Sequence, residues 1–592
     1  MRRKTVISRF ATLVSATIAC LLIAVLAPLL LSPRTADEPF SGYSVMASPR
    51  DMHVITASVR LSAAPDLTLD RGTLYADGNA AAGTPISRFV LDGPVLRLNA
   101  SGLHTGGSNF DSGLESTLTG TVAPLLVEQL IAMGFDTLTV RRGTLVVTTA
   151  DGGTETISGI EAELSGRRKG HVTGRGSFSV RGQRMAFDGI LHTSSDKQAP
   201  QRWPLKAGLK GDLLEVSFDG HLDVAEDLQL SGHLELSSPS LRKVARWFGV
   251  PVSAADGLNA TAVRGQVNWA RRAIAVDDAK VVIDGNEAAG ALTLNLAGER
   301  PLIDATLAFN ALDLTPYAEG ARSQSFVFDR QTASWSAFDL SFPIIKHVDA
   351  DLRLSAPKVI LKGHGLALGR GAATIAVRSG KLLADIAELE LHGGKVAAQL
   401  TASANDLVPR YTLRAKVEGF DAGAAATTLF GSTLLTGRST LSVDVAGSGQ
   451  TPAELLRTLS GKAALTMADG ARMALDMKAL HAAAKANGPP GWGLLAKGQT
   501  SLEQAEARAL IRDGVLLTEA VQARSGTSGV AASGRIDLAE RTLDLQLFMK
   551  AGVPTDRPLR PADVVGADTV TVRGPWQEPF VRGEEAGAEP SK

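Results

Sequence analysis

Strict alternation of aliphatic and polar residues constrains this chain more than any other feature. It is clearest in GVAASGRIDLAERTLDLQLFM, residues 529–549. There Ile536 and Leu538, then Leu543, Leu545 and Leu547, alternate with Arg535, Asp537, Asp544 and Gln546. Successive side chains of a strand point to opposite faces, so the pattern predicts a hairpin with one oily and one wet face. Those five aliphatic residues are the candidate lining of an apolar surface.

Similar stretches recur past residue 40, separated by turn signals, as in a β body built by serial addition of hairpins. A Gly-x-aliphatic-polar-aliphatic unit returns as GHLDV from Gly220, GHLEL from Gly232, GALTL from Gly290 and GRIDL from Gly534. Helical signals are few and short. In TPAELLRTLSG, Thr451 is placed to cap, Pro452 suits the first helical position, Glu454 completes a capping box and Gly461 is placed to end the helix. Helices are also expected at 240–249, 421–431, 476–488 and 123–134, as caps on sheet ends. TGRGS (173–177) and SGTSG (525–529) read as turns.

Composition narrows the function classes. Basic and acidic residues balance at 61 each, so no strong overall field draws in nucleic acid or acidic substrates. Aromatic residues are only 5%, which leaves little for base stacking. Cys20 is the one cysteine, so the main body can hold no disulfide and no thiolate metal site. That usage suits an oxidising compartment.

The N-terminus is basic, with Arg2, Arg3, Lys4 and Arg9, and no charge follows until Arg34. Residues 10–32 are long enough, at ~1.5 Å per residue, to cross the bilayer hydrocarbon as a helix. The flanking basic residues place 1–9 in the cytoplasm and the rest outside it. A cleaved signal peptide competes, but its apolar segment would run only about 7–15 residues. A lipoprotein reading would use Cys20, yet Thr17-Ile18-Ala19-Cys20 makes a poor lipobox.

No chemistry-bearing motif emerges. The ten histidines are scattered, and neither H-E-x-x-H nor a Walker A pattern occurs. SGTSG lacks the spacing and following helix of a nucleophile elbow. Strand carboxylates such as Asp537 and Asp544 alternate with apolar residues and belong to a solvated face. Neither catalytic residues nor metal ligands nor a cofactor are expected, and the reading is non-enzymatic.

Several segments resemble the C-terminal region of the AsmA family of bacterial envelope proteins. Residues 411–480, with TPAELLRTLSG and the ADG turn at Asp469, resemble the family's strand–helix–strand unit. SGVAASGRIDLAERTLDLQLFM resembles its penultimate hairpin, and VTVRGPWQEPFVRGE (570–584) its closing strand. ELSSPSLRKVARWFGVP (235–251) resembles an earlier unit. The resemblance implies an inner-membrane protein with a periplasmic, long, twisted and curled antiparallel-rich β-sheet, forming an apolar groove with a few short capping helices. It also implies a role in outer-membrane biogenesis, with phospholipid acyl chains as the expected partner and protein assembly at the outer membrane as the alternative. The expected organisation is a cytoplasmic tail (1–9), a transmembrane helix (10–32), an N-terminal periplasmic β region (33–240), a middle β region with a short helix (241–350), an AsmA-like C-terminal β region (351–582) and a disordered tail (583–592).

The residues alone leave two partners for the oily face, acyl chains or a facing sheet. The resemblance favours the first.

Overall fold

A computed structural model describes short strand segments between 40 and 61 and most of 64–583. Residues 1–39, 100–135, 193–201, 319–327, 483–497 and 584–592 lie outside the described residues, and with them the expected membrane helix and the helix at 123–134. Among the described residues no helix is long and apolar enough to cross a membrane. The chain divides into two compact units. One holds residues up to Thr306, except 253–257; the other holds 253–257 and everything from Leu307.

Both units are mainly β, and their sheets are mixed but mostly antiparallel. In the first unit the strands from Ala64–Asp77 to Asn286–Asn295 pair in sequence order, each with the next. One pair is parallel, Arg88–Asn99 with Thr137–Thr148. A helix, Leu241–Trp247, leaves the end of one strand. The Ser240 hydroxyl caps it by accepting the Lys243 N–H.

In the second unit an all-antiparallel ladder runs from Asp349–Ala356 to Phe580–Gly583. Two helices interrupt it at strand ends, Ala422–Phe430 and Pro452–Thr458. The first starts where Asp421 accepts the N–H groups of Gly423 and Ala424, at 2.8 and 3.1 Å.

Three local expectations change. Gly461 does not end the second helix. That helix stops at Thr458, and Gly461 lies inside the next strand, Ser460–Met467, at φ +147°. A Cβ there would collide with the Asp444 carbonyl of the paired strand, so the glycine serves a close backbone approach. The capping box is also redirected. Thr451 Oγ1 accepts the Glu454 N–H at 3.3 Å, but the Glu454 carboxylate reaches back to the N–H of Gln450 at 2.7 Å. Finally, TGRGS is no turn; it lies within the strand His171–Val180. A Cβ on Gly176 would collide with the Glu161 carbonyl of the paired strand and lie 2.7 Å from the Phe187 ring, which explains the glycine without a bend.

Candidate functional site

Cross-strand register in the second unit gathers the alternating aliphatic residues into continuous rows. One row reads Leu352, Ile375, Ala384, Leu400, Leu413, Val445, Gly461, Ile511, Leu516, Ile536 and Leu543, each opposite the next. A neighbouring row reads Leu354, Ala373, Ile386, Ala398, Ala415, Val443, Ala463 and Ala509. No charged residue enters either row. Most of these side chains are only partly buried; Val445, Ile511 and Ala509 are the buried members. A facing sheet would have closed over all of them.

The two margins of this face are closed instead. At one strand end, Leu340 packs with Ala402 and Tyr411, joined by Phe342, Leu382 and Leu455 of the Pro452–Thr458 helix. Ile345, in the short 3-10 helix Pro343–Lys346, packs beside it with Ala350, Val377 and Ala404. At the other strand end, Val396, Val417, Phe420 and Met467 meet Ala422, Ala471 and Leu502. That margin is built by the Ala422–Phe430 helix and a small sheet of Leu435–Thr436, Ala471–Met473 and Thr500–Leu502. The face is thus a strip of half-exposed aliphatic side chains between two buried borders.

The reverse face is polar. Arg353, Thr374, Asp385, Gln399, Arg414, Asp444 and Lys462 form the matching row. Arg414 Nε lies 3.4 Å from Asp444 Oδ1. A cavity of about 570 Å³ opens there, lined by Gln399, Thr401, Thr412, Arg414, Asp444 and Lys462 among others. Val445, Ala446, Gly461 and Leu510 also line it, so it mixes charged and apolar groups.

With this geometry in place, the comparison with known families becomes informative. Residues 309–520 match the model of the AsmA family. The match runs from the start of the second unit into the strand Val515–Ser525, and so takes in both aliphatic rows up to Leu516. AsmA proteins are envelope proteins, and the match implies a role in envelope and outer-membrane biogenesis. No curated protein matches the chain.

The hairpin singled out by its alternation lies beyond the AsmA match, in strands Ser528–Asp537 and Thr542–Ala551. Ile536, Leu543, Leu545 and Leu547 share the aliphatic face and are partly buried. The three leucines pack against Met549, Val570, Val572 and Val581. Leu538 falls past the strand end, in the turn, where its N–H donates to Gly514 O at 3.0 Å. Sequence patterning missed the part of the strip nearest the centre of the AsmA match, Leu400, Leu413 and Val443. Its signal, alternation in QLTAS and YTLRAKVEG, is weaker because alanine fills many of its inward positions.

The first unit carries a second face of this kind. Gly176, Phe187, Leu209, Val216, Leu236 and Val263 are in register across six strands and partly exposed. Toward the N-terminal side the same face closes, with Leu138, Val140, Leu145, Ile157, Ile160 and Phe178 at 1% exposure or less.

Proposed function

We propose that this chain is a non-catalytic, inner-membrane-anchored periplasmic protein that binds phospholipid by its acyl chains along the aliphatic strip, in support of outer-membrane biogenesis. The observation that carries the reading is the strip itself: uncharged and half-exposed, bordered by buried margins and backed by a polar face. Each methylene removed from water is worth about 0.8 kcal/mol, so seating one whole chain gains roughly 10 kcal/mol or more. Leu, Val and Ala offer no hydrogen bonds to fix a ligand in one register, which suits a cargo that slides. Among the described residues no His, Cys, Asp or Glu cluster is arranged to hold a metal ion, and the proposal requires none.

The test is to purify the chain with Leu413→Glu, and with Arg414→Glu as the control on the opposite face, then quantify co-purifying phospholipid. The expected result is loss of lipid in the first variant and retention in the second. Equal lipid in both, or none with the unaltered chain, would turn the reading toward a scaffold acting through protein contacts.

A further inference from the structure

The antiparallel ladder of the second unit ends on a short strand, Phe580–Gly583. Among the described residues it pairs on one side only, with Asp568–Pro575. Alternation persists along it. Val581 takes the aliphatic side, 3% exposed, and packs with Met549, Val570 and Val572. Phe580 and Arg582 lie on the polar side, opposite Arg573 and Thr571, and both are exposed.

Phe580 is the anomaly. It is 77% exposed, whereas the next most exposed large apolar residue in the described strands of this unit is Leu383 at 41%. A free strand edge invites pairing with another chain, and a bare ring on that edge holds a large apolar surface in water. Its complement lies two residues away. When a strand pairs with a copy of itself about a twofold axis, opposed residues share a face and their numbers add to a constant. Three registers keep like faces together here. Phe580 opposite Phe580 leaves Arg582 unused. Arg582 opposite Arg582 sets like charges together. Val581 opposite Val581 sets each Phe580 ring against the partner's Arg582, twice over.

We propose that Phe580–Gly583 is a self-complementary docking edge. It joins two copies of this chain with Val581 opposite Val581 and Phe580 against the partner's Arg582. A second copy is favoured over an unrelated chain because ring and cation stand two residues apart on one face, the spacing that twofold pairing about Val581 requires. The inference is independent of the lipid-binding reading.

The test uses the full chain, expressed in cells, with Cys20→Ser and Val581→Cys. Opposed α-carbons in this register lie about 4.5–5.5 Å apart, within the span of a disulfide. Mild oxidation should give a covalent dimer on a non-reducing gel. Ser533→Cys, exposed on an inner strand, should give none. Phe580→Lys and Phe580→Glu are then added separately. Lysine meets the partner's Arg582 as a like charge, so the dimer should fall at least tenfold. Glutamate meets it as an ion pair, so the dimer should persist. Sedimentation velocity of the two Phe580 variants, with Val581 unaltered and the chain in detergent, should show the same contrast without touching the buried valine. No dimer in either measurement, or equal loss with both charges, would overturn the proposal. Cross-linking of the Val581→Cys chain to a different protein would overturn it as well.

Discussion

Tyr411 shows how a single residue ties a border of the strip together. Its ring is buried beside Leu340 and Ala402, and its hydroxyl donates to the Leu340 carbonyl. Burial, with Asp339 nearby, pushes its pKa up to about 12. The folded state therefore holds the phenol proton more tightly than the unfolded chain, whose tyrosine titrates near 10. The stabilisation is complete below pH 10 and is lost as pH rises through about 12. Tyr411→Phe should lower stability by ~1 kcal/mol at neutral pH and flatten the decline between pH 10 and 12, read by chemical denaturation across that range. An identical alkaline slope in both proteins would contradict this. Exposure separates two leucines in the same way. Leu413→Glu, at a half-exposed position, should cost no more than ~2 kcal/mol. Leu138→Glu strands a charge in a closed core and should cost ~4 kcal/mol or more. Thermal melts of the two variants decide it, and equal losses would mean the strip is a packed core after all.

Among the elements, the Pro452–Thr458 helix and the hairpin glycines do the shaping. Thr451→Ala removes the hydroxyl that accepts the Glu454 N–H and should cost ~1 kcal/mol, measured by urea unfolding. Gly534, at φ +138°, faces the Asp544 carbonyl as Gly461 faces that of Asp444. Gly534→Val should destabilise the hairpin 528–551 selectively, visible as faster amide exchange there. Unchanged protection would show that the close approach is dispensable. These elements also mark what could be read in advance. Alternation at Leu543, Leu545 and Leu547 placed strands and one face correctly, because a period of two has one geometric meaning. The helix at 452–458 announced itself through capping residues; those at 241–247 and 422–430 were expected at the right places without them. Gly461 and the glycines of TGRGS read as punctuation, because sequence does not disclose which backbone or ring will press against them. Leu538 continued the alternation on paper, but the chain turned one residue sooner. The borders of the strip were not legible at all. They join residues such as Leu340 and Tyr411, whose meeting depends on the whole ladder.

Each of the two units keeps part of an aliphatic face uncovered. The first unit closes over Leu138 to Phe178 and opens beyond; the second is bordered along both strand ends. The AsmA match covers 309–520, and the first unit repeats the same design outside it. The most direct test uses neighbours on opposite faces of one strand, Leu413 and Arg414. A benzophenone photo-crosslinker is placed at either position in living cells, and the adducts are identified by mass spectrometry. The account predicts phospholipid attached at 413 and not at 414. Protein adducts alone at 413, or equal lipid at both positions, would contradict it.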